Sequence, residues 1–83
     1  MSLSTLEVER LIESVGEDNI TWSLFDKYSF EDIGSGNYVY KFILDDGNFL
    51  YLAGPSLEEK PWIVYICYSD GEKRVIYSSE IQK

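Results

Sequence analysis

The amino-acid sequence predicts an α+β fold, in which an N-terminal helix and a short helical segment pack on a four-stranded antiparallel meander. Two observations predict this class. The first part of the chain carries an apolar repeat at helical spacing, and the rest carries aromatic and β-branched runs that are separated by two Asp-Gly pairs. Residues 1–83 have the length of a single small domain, and the pattern is also compatible with a sheet that curls toward a small barrel.

The predicted helix covers residues 5–15. Ser4 and Glu7 have the spacing of a capping box, with Ser4 as the N-cap residue. Gly16 stands where a C-terminal cap is expected, because glycine adopts positive φ without a steric cost. The apolar positions that recur along this stretch are Leu6, Val8, Leu11, Ile12 and Val15.

An acidic stripe is predicted along the solvent-exposed face of this helix, with Glu9, Glu13 and Glu17 spaced four positions apart. Like charges at this spacing destabilise a helix by about 0.2–0.5 kcal/mol per pair, so helix stability does not explain them. The stripe and a net charge of −8 argue against direct binding of nucleic acid, since phosphates would be repelled. They favour a protein partner of basic character.

Residues 20–33 carry two competing patterns. Every third position from Trp22 to Tyr28 is aromatic, as on one face of a helix, whereas alternate positions from Ile20 to Leu24 are apolar, as on a strand. We expect one or two short helical turns in this segment, with a helix cap and first turn over residues 29–32.

Four strands are predicted, over residues of about 37–45, 48–53, 62–68 and 73–78. Asp46-Gly47 joins the first pair and Asp70-Gly71 joins the second pair, and both are interpreted as two-residue hairpin turns. A polar loop that contains both prolines separates the two hairpins.

With two-residue turns, both hairpins carry apolar side chains on both faces. Phe42 would lie opposite Tyr51, and Ile66 would lie opposite Val75. On the second hairpin, the residues expected to share one face are Ile63, Tyr65, Cys67, Arg74 and Ile76. A helix of eleven residues is only about 16 Å long, so it cannot cover two faces.

Three coverings of the second face are compatible with this pattern. Residues 20–33 could lie over it, the sheet could close around it as a barrel, or the face could stay partly open and meet a partner or a second copy. Tyrosine suits an interaction surface, because its ring is amphipathic and loses little entropy on binding.

The sequence lacks the residues that common catalytic and metal sites need. There is no histidine and only one cysteine, Cys67, so imidazole-based triads and cysteine or histidine zinc sites are excluded. We therefore expect neither enzymatic activity nor a cofactor. Cys67 is interpreted as a small buried strand residue, and an unpaired thiol fits a cytoplasmic location. No run of about 18 apolar residues predicts a membrane span.

These features favour a small acidic, non-enzymatic protein-binding module of the inhibitor, immunity or adaptor type. The acidic helix would steer a basic partner, and the tyrosine-rich sheet would supply apolar contacts. The residues predicted to bind the partner are Glu9, Glu13, Glu17, Trp62, Tyr65 and Tyr68.

Three alternatives stay open at this point. A small apolar-ligand or sensory domain would have a cavity lined by Trp22, Phe42 and Trp62. A nucleic-acid mimic would use the glutamate stripe, whose Cβ atoms are expected about 5–6 Å apart, close to the spacing of phosphates. An obligate homodimer would use the second sheet face.

Overall fold

A computed structural model describes residues 3–34 and 36–79 of the chain. In this part, one α-helix and two 3₁₀ turns pack on an antiparallel sheet of five strands, in the order β1-β2-β3-β4-β5. The elements are α1 (Thr5–Val15), two 3₁₀ turns (Glu17–Asn19 and Trp22–Phe25), β1 (Glu31–Asp32), β2 (Tyr38–Ile43), β3 (Phe49–Gly54), β4 (Ile63–Cys67) and β5 (Lys73–Ser78). The α+β class is confirmed, but the sheet has one strand more than predicted and is not closed into a barrel. None of the described helices has the length and apolarity to cross a bilayer.

Both ends of α1 are fixed by the residues that the sequence indicates. The Ser4 side chain accepts a hydrogen bond from the Glu7 N–H over 3.1 Å, and the Glu7 carboxylate accepts one from the Ser4 N–H over 3.2 Å. Gly16 ends the helix at φ +87°, and its N–H donates to the Ile12 carbonyl over 2.8 Å. Val8 and Ile12 face the core, whereas Leu6 is 54% exposed and departs from the expected apolar face.

Residues 20–33 form both kinds of structure. The predicted helical turn is present as a 3₁₀ turn over Trp22–Phe25, but residues 29–32 do not start a helix. Glu31 and Asp32 instead form β1, whose residues pair with Lys41 and Tyr40 of β2. The chain can pair in this way because it reverses after β1 and returns directly as β2.

The first hairpin has a three-residue loop, Asp45–Gly47, so the predicted two-residue turn is wrong. The Leu44 N–H donates to the Asn48 carbonyl over 2.9 Å, and Gly47 takes the positive φ of +86° that closes the loop. Phe42 therefore lies opposite Leu50, not Tyr51. This shift by one residue exchanges the two faces of β3.

The predicted two-residue turn of the second hairpin is wrong in the same way. The Tyr68 N–H donates to the Glu72 carbonyl over 2.8 Å across a three-residue loop, and Ile66 lies opposite Arg74 instead of Val75. A bulge in β5 then changes the register, and Val64 lies opposite Tyr77. Because of this bulge, Ile76 and Tyr77 both pack against the core although they are adjacent in sequence.

A single core lies on one face of the sheet, which we call the inner face. Its fully buried strand residues are Phe42, Leu50, Leu52, Val64 and Ile66. The buried residues of α1 and of the segment that follows it belong to the same cluster: Val8, Ile12, Ile20, Trp22, Phe25 and Tyr28. Residues 20–33 therefore pack on the inner face, together with α1, and do not cover the opposite face of the sheet.

The outer face of the sheet stays open in the described part of the chain. Its side chains alternate with those of the core, and none of them is buried: Lys41, Ile43, Phe49, Tyr51, Ile63, Tyr65, Cys67 and Val75. Of the three coverings compatible with the sequence, the partly open face is the one observed.

Candidate partner-binding surfaces

A groove separates α1 from β5 at one edge of the sheet, and we call it the acidic groove. It has a volume of about 390 Å³. Its lining residues come from α1, from the 3₁₀ turn after α1 and from β5: Glu9, Ile12, Glu13, Glu17, Arg74 and Ile76. The groove thus combines carboxylates on the helical side with one cation and an apolar residue on the strand side.

The three glutamates predicted as a stripe are brought together in this groove. Glu9 and Glu13 lie one turn apart in α1. Glu17 follows the helix end, yet it lines the same groove because the first 3₁₀ turn, Glu17–Asn19, continues past Gly16 near β5.

One ion pair bridges the groove. Arg74 Nη1 lies 2.7 Å from Glu9 Oε2, and both side chains are well exposed, at 56% and 37%. The Tyr68 hydroxyl and the Glu9 carboxylate raise the pKa of the Arg74 guanidinium. An arginine is charged throughout the accessible pH range in any case. Glu13 and Glu17 are exposed and form no ion pair with any residue in the described ranges.

The floor of the acidic groove is apolar. Ile12 is 7% exposed and belongs to the core, while Ile76 is half-buried against it. The sequence placed Ile76 and Arg74 beside Tyr65, on the other face of the sheet. The three-residue loop and the bulge in β5 turn both residues toward α1 instead.

The outer edge of β5 runs beside this groove. β5 is the last strand of the sheet and pairs only with β4 among the described residues. No other described segment forms a backbone hydrogen bond with its free side. In an antiparallel strand every second residue directs its N–H and C=O away from the partner, so this edge presents unpaired donors and acceptors.

The outer face of the sheet carries a cluster of aromatic rings and lysines. Tyr51 and Tyr65 are cross-strand neighbours, and their rings stack with centroids 4.9 Å apart and an interplanar angle of 15°. The ammonium groups of Lys41 and Lys73 lie 4.6 Å from the ring centroids of Phe49 and Tyr65, respectively. Ring faces that would meet water are thus covered by a second ring or by an ammonium.

Tyr65 and Cys67 are two half-buried residues of β4 on this face. Burial raises the pKa of the Tyr65 hydroxyl, and Cys67 and Tyr51 raise it further, so the phenol stays neutral at physiological pH. Cys67 is a free thiol that is half-buried on this open face, whereas the sequence predicted a buried strand residue.

The aromatic residues predicted as partner-binding residues do not share one surface, and none of them lines the acidic groove, although the Tyr68 hydroxyl lies close to Arg74. Tyr65 lies on the outer face, and Trp62 is 44% exposed just before β4. Tyr68 packs against the core on the inner side. Arg74 and Ile76 are the lining residues that sequence reasoning missed, because their position depends on the hairpin loop and the bulge.

The three residues expected around a ligand cavity have different surroundings. Phe42 is 1% exposed and packs against Phe25, with ring centroids 5.7 Å apart. Trp22 is also buried, and its indole N–H donates to the carbonyls of Ser56 and Glu59. Trp62, in contrast, is largely exposed.

Residues 3–34 and 36–79 contain no cluster of three or more side chains of the types that hold a metal ion. Comparison of the chain with protein families, with curated proteins and with solved structures finds no match.

Proposed function

We propose that this chain is a small, non-enzymatic protein-binding module that binds a basic segment of a partner protein in the acidic groove. One observation carries the proposal. Glu9, Glu13 and Glu17 line a single groove in which Arg74 is the one cation among the described lining residues, and Ile12 and Ile76 provide an apolar floor. A lysine or arginine side chain fits such a groove, because its alkyl stem packs on apolar surface while its charge meets a carboxylate.

The carboxylates contribute mainly to the selectivity for basic partners and to the association rate, and less to the binding free energy. Exposed charges of one sign attract an oppositely charged partner over about a Debye length, about 8 Å at physiological salt. The half-buried side chain of Ile76 offers apolar surface to a guest, and its burial contributes binding energy that does not depend on salt.

Binding of a basic protein segment fits the groove better than mimicry of nucleic acid does. A mimic presents an unbroken row of negative charges to its partner. Here the Arg74 guanidinium neutralises Glu9, at one end of the row.

The test uses the fluorescein-labelled peptide KVKVKVK as the basic probe and its acidic counterpart EVEVEVE. We expect saturable binding of the basic peptide by fluorescence anisotropy and none of the acidic one. The double variant Glu13→Gln/Glu17→Gln should weaken binding about tenfold, since both removed carboxylates line the groove. Binding should also weaken when NaCl rises from about 0.05 M to about 0.5 M.

The matched control is Glu58→Gln/Glu59→Gln, which removes the same charge from an exposed loop outside the groove. This control should bind the basic peptide almost as tightly as the unmodified chain. Equal losses in the two double variants would contradict the proposal, because net charge and not the groove would then explain binding. No saturable binding of KVKVKVK by the unmodified chain would contradict it as well.

A further inference from the structure

We infer that the partner segment binds in an extended conformation, as a sixth strand added to the free edge of β5, with alternate basic side chains pointing into the acidic groove. This inference rests on the proposed function and specifies the form of the partner. Strand addition to a sheet edge beside a helix is a general mode of peptide recognition, in which main-chain hydrogen bonds give affinity and pockets for alternate side chains give specificity.

The geometry of the edge supports an added strand. β5 ends the sheet, and its residues Lys73–Val75 pair in regular register with β4. The groove is lined by residues of β5 and of α1 together, so a strand paired with β5 would direct one of its two rows of side chains toward the carboxylates.

The bulge in β5 limits the length of the edge that can pair with an added strand, and it sets the direction of the Ile76 side chain. It follows the regular stretch and turns Ile76 onto the floor of the groove. Bulges at sheet edges commonly re-aim a side chain or end regular pairing. The added strand is therefore short and pairs with Lys73–Val75.

Both cations of β5 are engaged by other residues of the chain. The Arg74 guanidinium is engaged by Glu9, and the Lys73 ammonium lies over the Tyr65 ring on the opposite face. On the groove side, the exposed carboxylates of Glu13 and Glu17 would face the basic segment.

A second copy of this chain fits the edge less well than a basic segment does. Pairing of two β5 strands would bring two acidic grooves together on a chain whose net charge is already −8. Like charges that meet at close range disfavour such an interface. The occupant to which the observations point is a basic, extended segment of another protein.

Two backbone-methylated versions of KVKVKVK test the inference. One carries N-methyl groups on the lysines and the other carries them on the valines, so charge and composition are the same. Residues that alternate along a strand direct their N–H groups to opposite sides. Addition to one edge therefore requires that only one of the two versions binds about tenfold or more weakly than the unmethylated peptide. Amide resonances of Lys73–Val75 should shift most on binding, and those of β1 should not.

The outcomes separate this inference from the proposed function. If both methylated versions bind as tightly as the parent peptide and the losses in Glu13→Gln/Glu17→Gln persist, strand addition is wrong while the basic groove stands. If both versions lose binding equally, addition to a single edge is also wrong. If sedimentation at micromolar concentration shows a dimer that the peptide does not dissociate, a second copy occupies the edge and the inference fails.

Discussion

Asp46, in the loop of the first hairpin, accepts a hydrogen bond from the backbone N–H of Thr5, in the first turn of α1, over 3.2 Å. Asn48, in the same hairpin, donates to the Thr5 hydroxyl over 2.8 Å. The hairpin loop thus supplies a carboxylate to the positive end of the helix, where unpaired N–H groups and the helix dipole favour negative charge. This contact fixes α1, and with it the helical side of the acidic groove, against the sheet.

We expect Asp46→Ala to lower the free energy of unfolding by about 1 kcal/mol, because a helix N-terminus loses its acceptor. Chemical denaturation by urea measures the change. The matched control is Asp45→Ala: Asp45 contributes a backbone N–H bond to Leu3, which alanine retains. A loss in the control as large as that in Asp46→Ala would show that the loop, and not the carboxylate, matters.

The same contact predicts a pH dependence. Desolvation alone would raise the pKa of Asp46, but hydrogen bonds from Thr5 and from the backbone of Asp46 and Asn48 together outweigh it and lower the pKa below the ordinary value of 3.8. A carboxyl with a lowered folded pKa contributes its stability fully above its unfolded pKa and loses it as the pH falls through the folded pKa. The stability difference between the unmodified chain and Asp46→Ala should therefore shrink as the pH falls below about 4, and a difference that stays constant would contradict this account.

The register of the first hairpin predicts a contrast between adjacent residues. Leu50 is fully buried opposite Phe42, so Leu50→Ala should cost about 2–5 kcal/mol. Phe49 is only half-buried on the outer face, and Phe49→Ala should cost about 1 kcal/mol, mainly through lost contact with Lys41. Urea denaturation of both variants checks the register, since a two-residue turn would reverse the order of the two losses.

The two tryptophans predict a second contrast. Trp22→Phe should cost about 1–3 kcal/mol, because the carbonyls of Ser56 and Glu59 lose their shared donor. Trp62→Phe should change stability by no more than about 0.5 kcal/mol, since Trp62 is 44% exposed. Fluorescence gives an independent readout: emission of the Trp62→Phe variant comes from the buried Trp22 and should lie at shorter wavelength than that of Trp22→Phe.

Arg74 competes with a basic guest for Glu9, and this predicts a gain of binding. Arg74→Gln should tighten binding of KVKVKVK about fivefold, while the loss of an exposed ion pair should lower stability by less than about 1 kcal/mol. Lys73→Gln is the matched control, because it removes the same charge from the same strand on the opposite face. Equal gains in both variants would show that the peptide responds only to net charge.

Local signals in the sequence were sufficient for the helix but not for the sheet. The capping box of Ser4 and Glu7 and the end at Gly16 lie within a few residues of the helix that they define. The structure has the capping box as predicted and ends the helix at Gly16 with positive φ, but the ψ of 143° differs from the left-handed conformation expected of this cap. β1 has only two residues, which is too short for any periodicity, and its pairing with β2 depends on the reversal of the chain between them.

The hairpin loops explain most of the remaining error. An Asp-Gly pair is favoured both in two-residue turns and at the end of a three-residue loop with a bulge, so the same letters allow two registers. The choice between them exchanged the faces of Leu50 and Phe49 and moved Arg74 to the helical side. Glu9 and Glu13 of the acidic groove were predictable from helical spacing alone. Glu17 lies in the 3₁₀ turn after the helix end, and the strand side of the groove required the register.

The strand order β1-β2-β3-β4-β5 has a consequence for how the chain folds. Every pair of neighbouring strands is also consecutive along the chain, so the sheet can grow one hairpin at a time without closing a long loop. The bond between Thr5 and Asp46, in contrast, spans 41 positions. We therefore expect the meander to form before α1 docks, so that substitutions in the helix accelerate unfolding more than they slow refolding.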